Sequence, residues 1–145
     1  MVLVAAVDRT ERAATVVDEA ARLADAFDDE VHVVHVLTRS EFVDLERASV
    51  DKTGSPTEIE RVREIAAEIA AEAAVGLDVP YDAVGLVGNP AERVVDYIDE
   101  VDARYVVTGS RKRSPAGKVL FGSVAQSILL NATCPVVTTV DQLPE

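Results

Sequence analysis

The amino-acid sequence predicts an α/β fold, an open five-stranded parallel sheet with helices on both faces. Three observations carry this reading. Short runs of β-branched residues alternate with longer stretches whose apolar residues recur with the period of a helix. The 145 residues suit one domain, taken as residues 1–145. No low-complexity tract, internal repeat or linker interrupts the alternation. Strands alternating with helices imply a parallel sheet between two helical layers.

Each element has its own signal. Val2–Val7 is the first strand, closed by Asp8. From Thr10, apolar positions at Ala13, Val16, Val17, Ala20, Leu23, Ala24 and Phe27 mark an amphipathic helix. Val31–Leu37 is the second strand. Residues 38–55 read as irregular, with turn chemistry in Lys52-Thr53-Gly54-Ser55. The next helix opens with Ser55 as cap, Pro56 at its first position and Glu58 completing a capping box. Ile59, Val62, Ala66, Ile69 and Ala73 form its buried stripe, and Gly76 fits its exit. Val79–Val87 is the third strand, in which Pro80 fits an edge or a strand start. Asn89-Pro90-Ala91-Glu92 repeats the capping logic for a short helix through Val94, Val95 and Ile98. Arg104–Thr108 is the fourth strand, Ser123 to about Asn131 the last helix, and Pro135–Val140 the fifth strand.

Composition narrows the partners. With 48% hydrophobic residues the chain can build a core without staples. Its single cysteine, Cys134, excludes an internal disulfide and suits a reducing cytoplasm. Val2–Val7 is too short to cross a membrane, and no targeting segment is read, so the expected location is cytoplasmic. A net charge of -12 repels nucleic acid, so neither nucleic acid nor membrane is an expected partner. Only Lys52, Lys112 and Lys118 are lysines; the other basic residues are arginines. Acidity with scarce lysine and few large aromatics suits a high-salt cytoplasm, although an ordinary acidic protein kept soluble by its charge would share it.

In a doubly wound sheet, ligands bind outside the carboxyl ends of the strands, where the strand order reverses. That directs attention to Asp8, the stretch after Val36, the turn after Val87 and the loop from Gly109. The loop Gly109–Ser123 is the most informative. Gly109 lets backbone approach a ligand closely. Gly122 and Ser123 open the last helix, where free amides and the helix dipole suit a phosphate. Arg111, Lys112, Arg113 and Lys118 gather positive charge within an acidic chain, which favours an anionic ligand. Taken singly, each glycine need do no more than end a strand or start a helix, and Asp8 need only cap or turn. The loop is not a Walker A motif, and the glycine spacing of a dinucleotide fold is absent.

The same loop resembles the universal stress protein family. Its nucleotide-binding members carry glycine, two residues, glycine, nine residues, then glycine followed by serine or threonine. Gly109 matches the first glycine and Gly122-Ser123 the closing pair, with the nine-residue spacer Arg113–Phe121. Lys112 stands where the middle glycine belongs. The similarity continues through Ser123-Val124-Ala125, Cys134-Pro135-Val136-Val137, His35-Val36 and Asp8. The resemblance implies a Rossmann-like sandwich of the adenine-nucleotide alpha-hydrolase-like class, here in a halophilic archaeal version. It implies ATP or another adenine nucleotide as ligand, with or without magnesium. Asp8 and Val36 would flank the adenine, Gly109 the ribose, and Gly122, Ser123 and Val124 the phosphates. Arg111 and Lys112 add positive charge. A side chain at Lys112 either crowds a backbone that the family keeps bare or puts an ammonium on a phosphate. The family also implies a homodimer through the last strand, Pro135 to Val140.

No catalytic residue is assigned. A stress-response module that binds nucleotide, a slow nucleotide hydrolase and a nucleotide-free dimer all fit, although hydrolysis needs a base that the sequence does not point out. His32 and His35, three apart on a strand, face opposite sides and cannot share one ion, so no metal site is expected. Cys134, before a proline at a strand start, reads as a buried small residue.

Overall fold

The computed structural model describes residues 1–53, 59–110 and 121–140. The strands are β1 (Val2–Ala6), β2 (Glu30–Leu37), β3 (Tyr81–Val87), β4 (Tyr105–Gly109) and β5 (Val136–Thr139). The helices are α1 (Arg12–Phe27), α2 (Arg39–Thr53), α3 (Ile59–Ala73), α4 (Pro90–Val101) and α5 (Ser123–Asn131). All strand pairs are parallel, in the order β3-β2-β1-β4-β5. The order reverses between β1 and β4, which opens a crevice at their carboxyl ends.

Alternation along the strands divides the core into two layers. Leu3, Ala5, Val31, Val33 and Val107 pack under α1, through Val16, Val17 and Ala20, and near Ala70 of α3. Val4, Val34 and Val106 face the other way, toward Val94 and Ile98 of α4 and Ile128 of α5. The α3 face is built of small residues, Ala66 and Ala70 around Val62, so this helix lies close to β3. Gly76 leaves α3 with φ +90, which glycine adopts freely. Pro80 stands just before β3, an edge strand, and its carbonyl accepts from the Val31 amide at 2.9 Å.

One expectation is corrected. Residues 39–53 are helical, not irregular. Thr38 and Glu41 form the reciprocal cap: Thr38 Oγ1 accepts from the Glu41 amide at 3.2 Å, and Glu41 Oε1 accepts from the Thr38 amide at 3.4 Å and its hydroxyl at 3.1 Å. Lys52 and Thr53 therefore belong to α2. The box proposed at Ser55, Pro56 and Glu58 lies outside the described residues. The cap of α4 is as read, with Asn89 accepting from the Glu92 amide at 3.1 Å.

Two turns at the amino ends of the strands use aspartate in the left-handed region, Asp28 at φ 57 after α1 and Asp102 at φ 51 after α4. Beside the first, buried Asp29 accepts from Arg104 Nε at 2.6 Å and from the Met1 amino group at 3.0 Å, while the guanidinium stacks on Phe27. The Arg104 hydrogen bond outweighs burial and holds the Asp29 carboxyl below its ordinary value. No helix among the described residues is long and apolar enough to cross a membrane.

Candidate functional site

The crevice is a cleft of about 380 Å³, within the size range of small-molecule sites. Three chain segments and one helix end meet there. Val7, Asp8 and Arg9 follow β1; Val36 and Thr38 stand at the end of β2; Thr108 and Gly109 close β4; Gly122, Ser123, Val124 and Ala125 begin α5. Asp8, Val36, Gly109, Gly122, Ser123 and Val124 thus line one cleft, although they are scattered through the sequence. Arg111 and Lys112 lie outside the described residues.

The first turn of α5 is the donor wall. Gly122 is its cap residue, extended at φ -71 and ψ 164, with no side-chain cap bond. The first helical hydrogen bond runs from the Gln126 amide to the Gly122 carbonyl at 3.0 Å. The preceding amides have no intrahelical partner and, with the helix dipole, can meet an anion. Gly109 admits α1 closely, since a Cβ there would lie 3.2 Å from Val16 Cγ2. Ser110 fixes the end of β4, its amide and hydroxyl both donating to the Thr139 carbonyl at 3.0 Å.

The opposite wall offers backbone edges. The Val7 amide still donates to the Val34 carbonyl at 3.0 Å. Two residues further on, Val36 turns its own amide and carbonyl to the same side, past the end of β1. That donor and acceptor pair matches the hydrogen-bonding edge of a purine.

Asp8 has a structural role as well as a place in the cleft. Its Oδ1 accepts from the Thr10 amide at 2.8 Å and the Thr10 hydroxyl at 2.6 Å, and its Oδ2 from Arg12 Nη2 at 3.2 Å. Burial favours the neutral acid, but these donors prevail and hold the carboxyl below the usual aspartate value. Arg9 pairs with Glu41 at 3.5 Å across the cleft mouth.

His35 is a cleft residue that the sequence reading includes in the family resemblance but gives no role. It is buried, and its Nδ1 must carry the proton, because it donates to the Val7 carbonyl at 2.9 Å. Among the described residues, its Nε2 is buried without a hydrogen-bond partner. Arg9, Arg12, Thr38 and Glu41 carry no sequence motif of their own, and their signal is position: all fall within six residues after a strand end. Cys134 is partly buried, and burial raises its thiol pKa, which fits a packing residue.

Comparison with known proteins agrees with this fold. The profile of the "Universal stress protein family" matches residues 1–139. A universal stress protein of Bacillus subtilis is 28% identical over 92% of this chain and 95% of its own. One from Methanocaldococcus jannaschii is 27% identical over 81% of this chain and 68% of its own. Among solved structures, a universal stress protein from Archaeoglobus fulgidus is 32% identical with a TM-score of 0.62, covering 94% of this chain and 96% of that one. A second structure from that organism, in complex with dAMP, is 28% identical with a TM-score of 0.60, covering 94% of each chain. The chain belongs to the universal stress protein family.

Proposed function

We propose that this protein is a stress-response module that binds ATP or a related adenine nucleotide in the cleft and acts as a homodimer. The observation that carries the reading is the convergence of the uncapped first turn of α5 with the free backbone edge of Val36 across one cleft. Adenine sits against Val36 and Asp8, ribose beside Gly109, and phosphates on the amides of Gly122, Ser123 and Val124. Arg111 and Lys112 supply positive charge from the loop between β4 and α5. The dAMP complex of the 28% identical relative supports the ligand class. Calorimetry in molar KCl with ATP, ADP, AMP and dAMP, with and without magnesium, should show one site per chain. Absence of heat with all four would leave a nucleotide-free dimer as the better account. Phosphate release on prolonged incubation with ATP and magnesium would instead favour slow hydrolysis.

The dimer reading rests on β5, an edge strand paired only with β4 among the described residues. The carbonyls of Pro135 and Thr139 accept from the amides of Val106 and Ser110, so the odd-numbered residues face β4. Val136 and Thr138 direct their amides and carbonyls outward, ready to pair with a second copy. Light scattering should give a dimer mass, and Thr138→Pro, which removes an outward donor and spares the bonds to β4, should give a monomer. A monomer mass for the natural chain at high micromolar concentration would sink this part.

A further inference from the structure

A second cluster stands at the amino ends of the strands, away from the cleft. Glu30 and His32 are two apart on β2 and so share a face. Asp82 is the β3 partner of His32 in the register and joins them. Across from all three stands Tyr97 of α4. His32 Nε2 lies 3.2 Å from Glu30 Oε1 and 3.4 Å from Asp82 Oδ2, while Nδ1 lies 2.6 Å from the Tyr97 hydroxyl. The His32 side chain is only 12% exposed, against 46% for Glu30 and 69% for Asp82, so the ring is held and the carboxylates stay open to solvent.

The His32–Glu30 contact is also a hydrogen bond, but two features suit a bound ion. Charge-assisted N–H···O bonds run about 2.7–2.9 Å, and both separations here are longer. With metal–ligand bonds of about 2.0–2.1 Å, adjacent ligand atoms of a zinc tetrahedron stand about 3.3–3.4 Å apart. The three donor atoms all lie within 4.8 Å of one another. Tyr97 supplies the outer partner that a metal-bound imidazole needs. With an ion on Nε2, Nδ1 carries the proton and donates to the Tyr97 oxygen at 2.6 Å.

We propose that Glu30, His32 and Asp82 form a site for one divalent transition ion, of which zinc fits best, with water as the fourth ligand. One imidazole and two carboxylates make a borderline donor set, suited to zinc more than to magnesium or calcium. On binding, Nε2 gives up any proton it carries to solvent, and the ion's two charges balance the two carboxylates. The bound ion ties edge strand β3 to β2.

The test uses the full chain in a Cys134→Ser background, which removes the thiol as a competing zinc ligand. Titration with ZnCl2 in molar KCl, without nucleotide, should show one site per chain and a raised Tm, and MgCl2 should do neither. CoCl2 should give the visible bands of a four-coordinate ion. His32→Gln should abolish the zinc site. Asp82→Asn, an exposed change that leaves the core intact, should weaken it at least about tenfold, as should Tyr97→Phe through the outer partner. Zinc affinity unchanged in Asp82→Asn, or no zinc binding by the parent, would overturn the site and leave a hydrogen-bonded ion cluster.

Discussion

Gly85→Ala should lower the unfolding free energy by about 3 kcal/mol or more, the upper end for overpacking a core. Gly85→Val should leave little folded protein. Gly85 lies on β3 with its α-carbon against α3. A Cβ built there would stand 2.2 Å from the Arg63 carbonyl oxygen, 2.4 Å from the Ala67 amide nitrogen and 2.8 Å from Ala66 Cβ. The first two are backbone atoms inside a helix and cannot swing aside as a side chain would. The helix must lift bodily, exposing Val62, Ala66 and Ala70, all fully buried. A domain of this size holds about 5–15 kcal/mol of net stability, so the loss is a large share. Urea unfolding followed by circular dichroism measures it. A midpoint equal to that of the natural chain would show that α3 moves away from β3 at little cost.

Gly122→Val should weaken ATP and dAMP binding at least a hundredfold, about 2.7 kcal/mol. The fold should lose only about 1 kcal/mol, the usual penalty for a poor cap residue. The backbone there is extended at φ -71 and ψ 164, which valine adopts without strain. The damage is therefore to the cleft, where two methyl groups would stand before the amides of α5. Calorimetry beside a thermal melt separates the two effects. Full affinity in a folded variant would place the phosphates elsewhere.

Where the sequence could be read, the signals were local. Asn89 caps α4, Gly76 releases α3 and Ser123 opens α5 because each choice is settled within a few residues. The α2 helix is hard to read because the apolar residues behind its complete Thr38-x-x-Glu41 capping box are sparse. Asp8 was read as either a turn residue or a cleft residue. It is both, since the turn with Thr10 and Arg12 is what forms that wall. Glu30 stands one residue before the strand read from the sequence, and the structure adds it to the face of His32. Asp82 joins them only through the β2–β3 register, which no local pattern displays.

The left-handed aspartates have a consequence for how such a chain can diverge. Only Asp28 and Asp29 stand between α1 and β2, so the reversal has no slack. A residue inserted there must be absorbed by β2, and a shift of one would turn His32, Val34 and Val36 to the opposite layer. A change of length between β4 and α5, at the other pole, leaves the strand registers untouched. Variation in length is thus channelled to one pole of the sheet, and the other acts as its fixed scale.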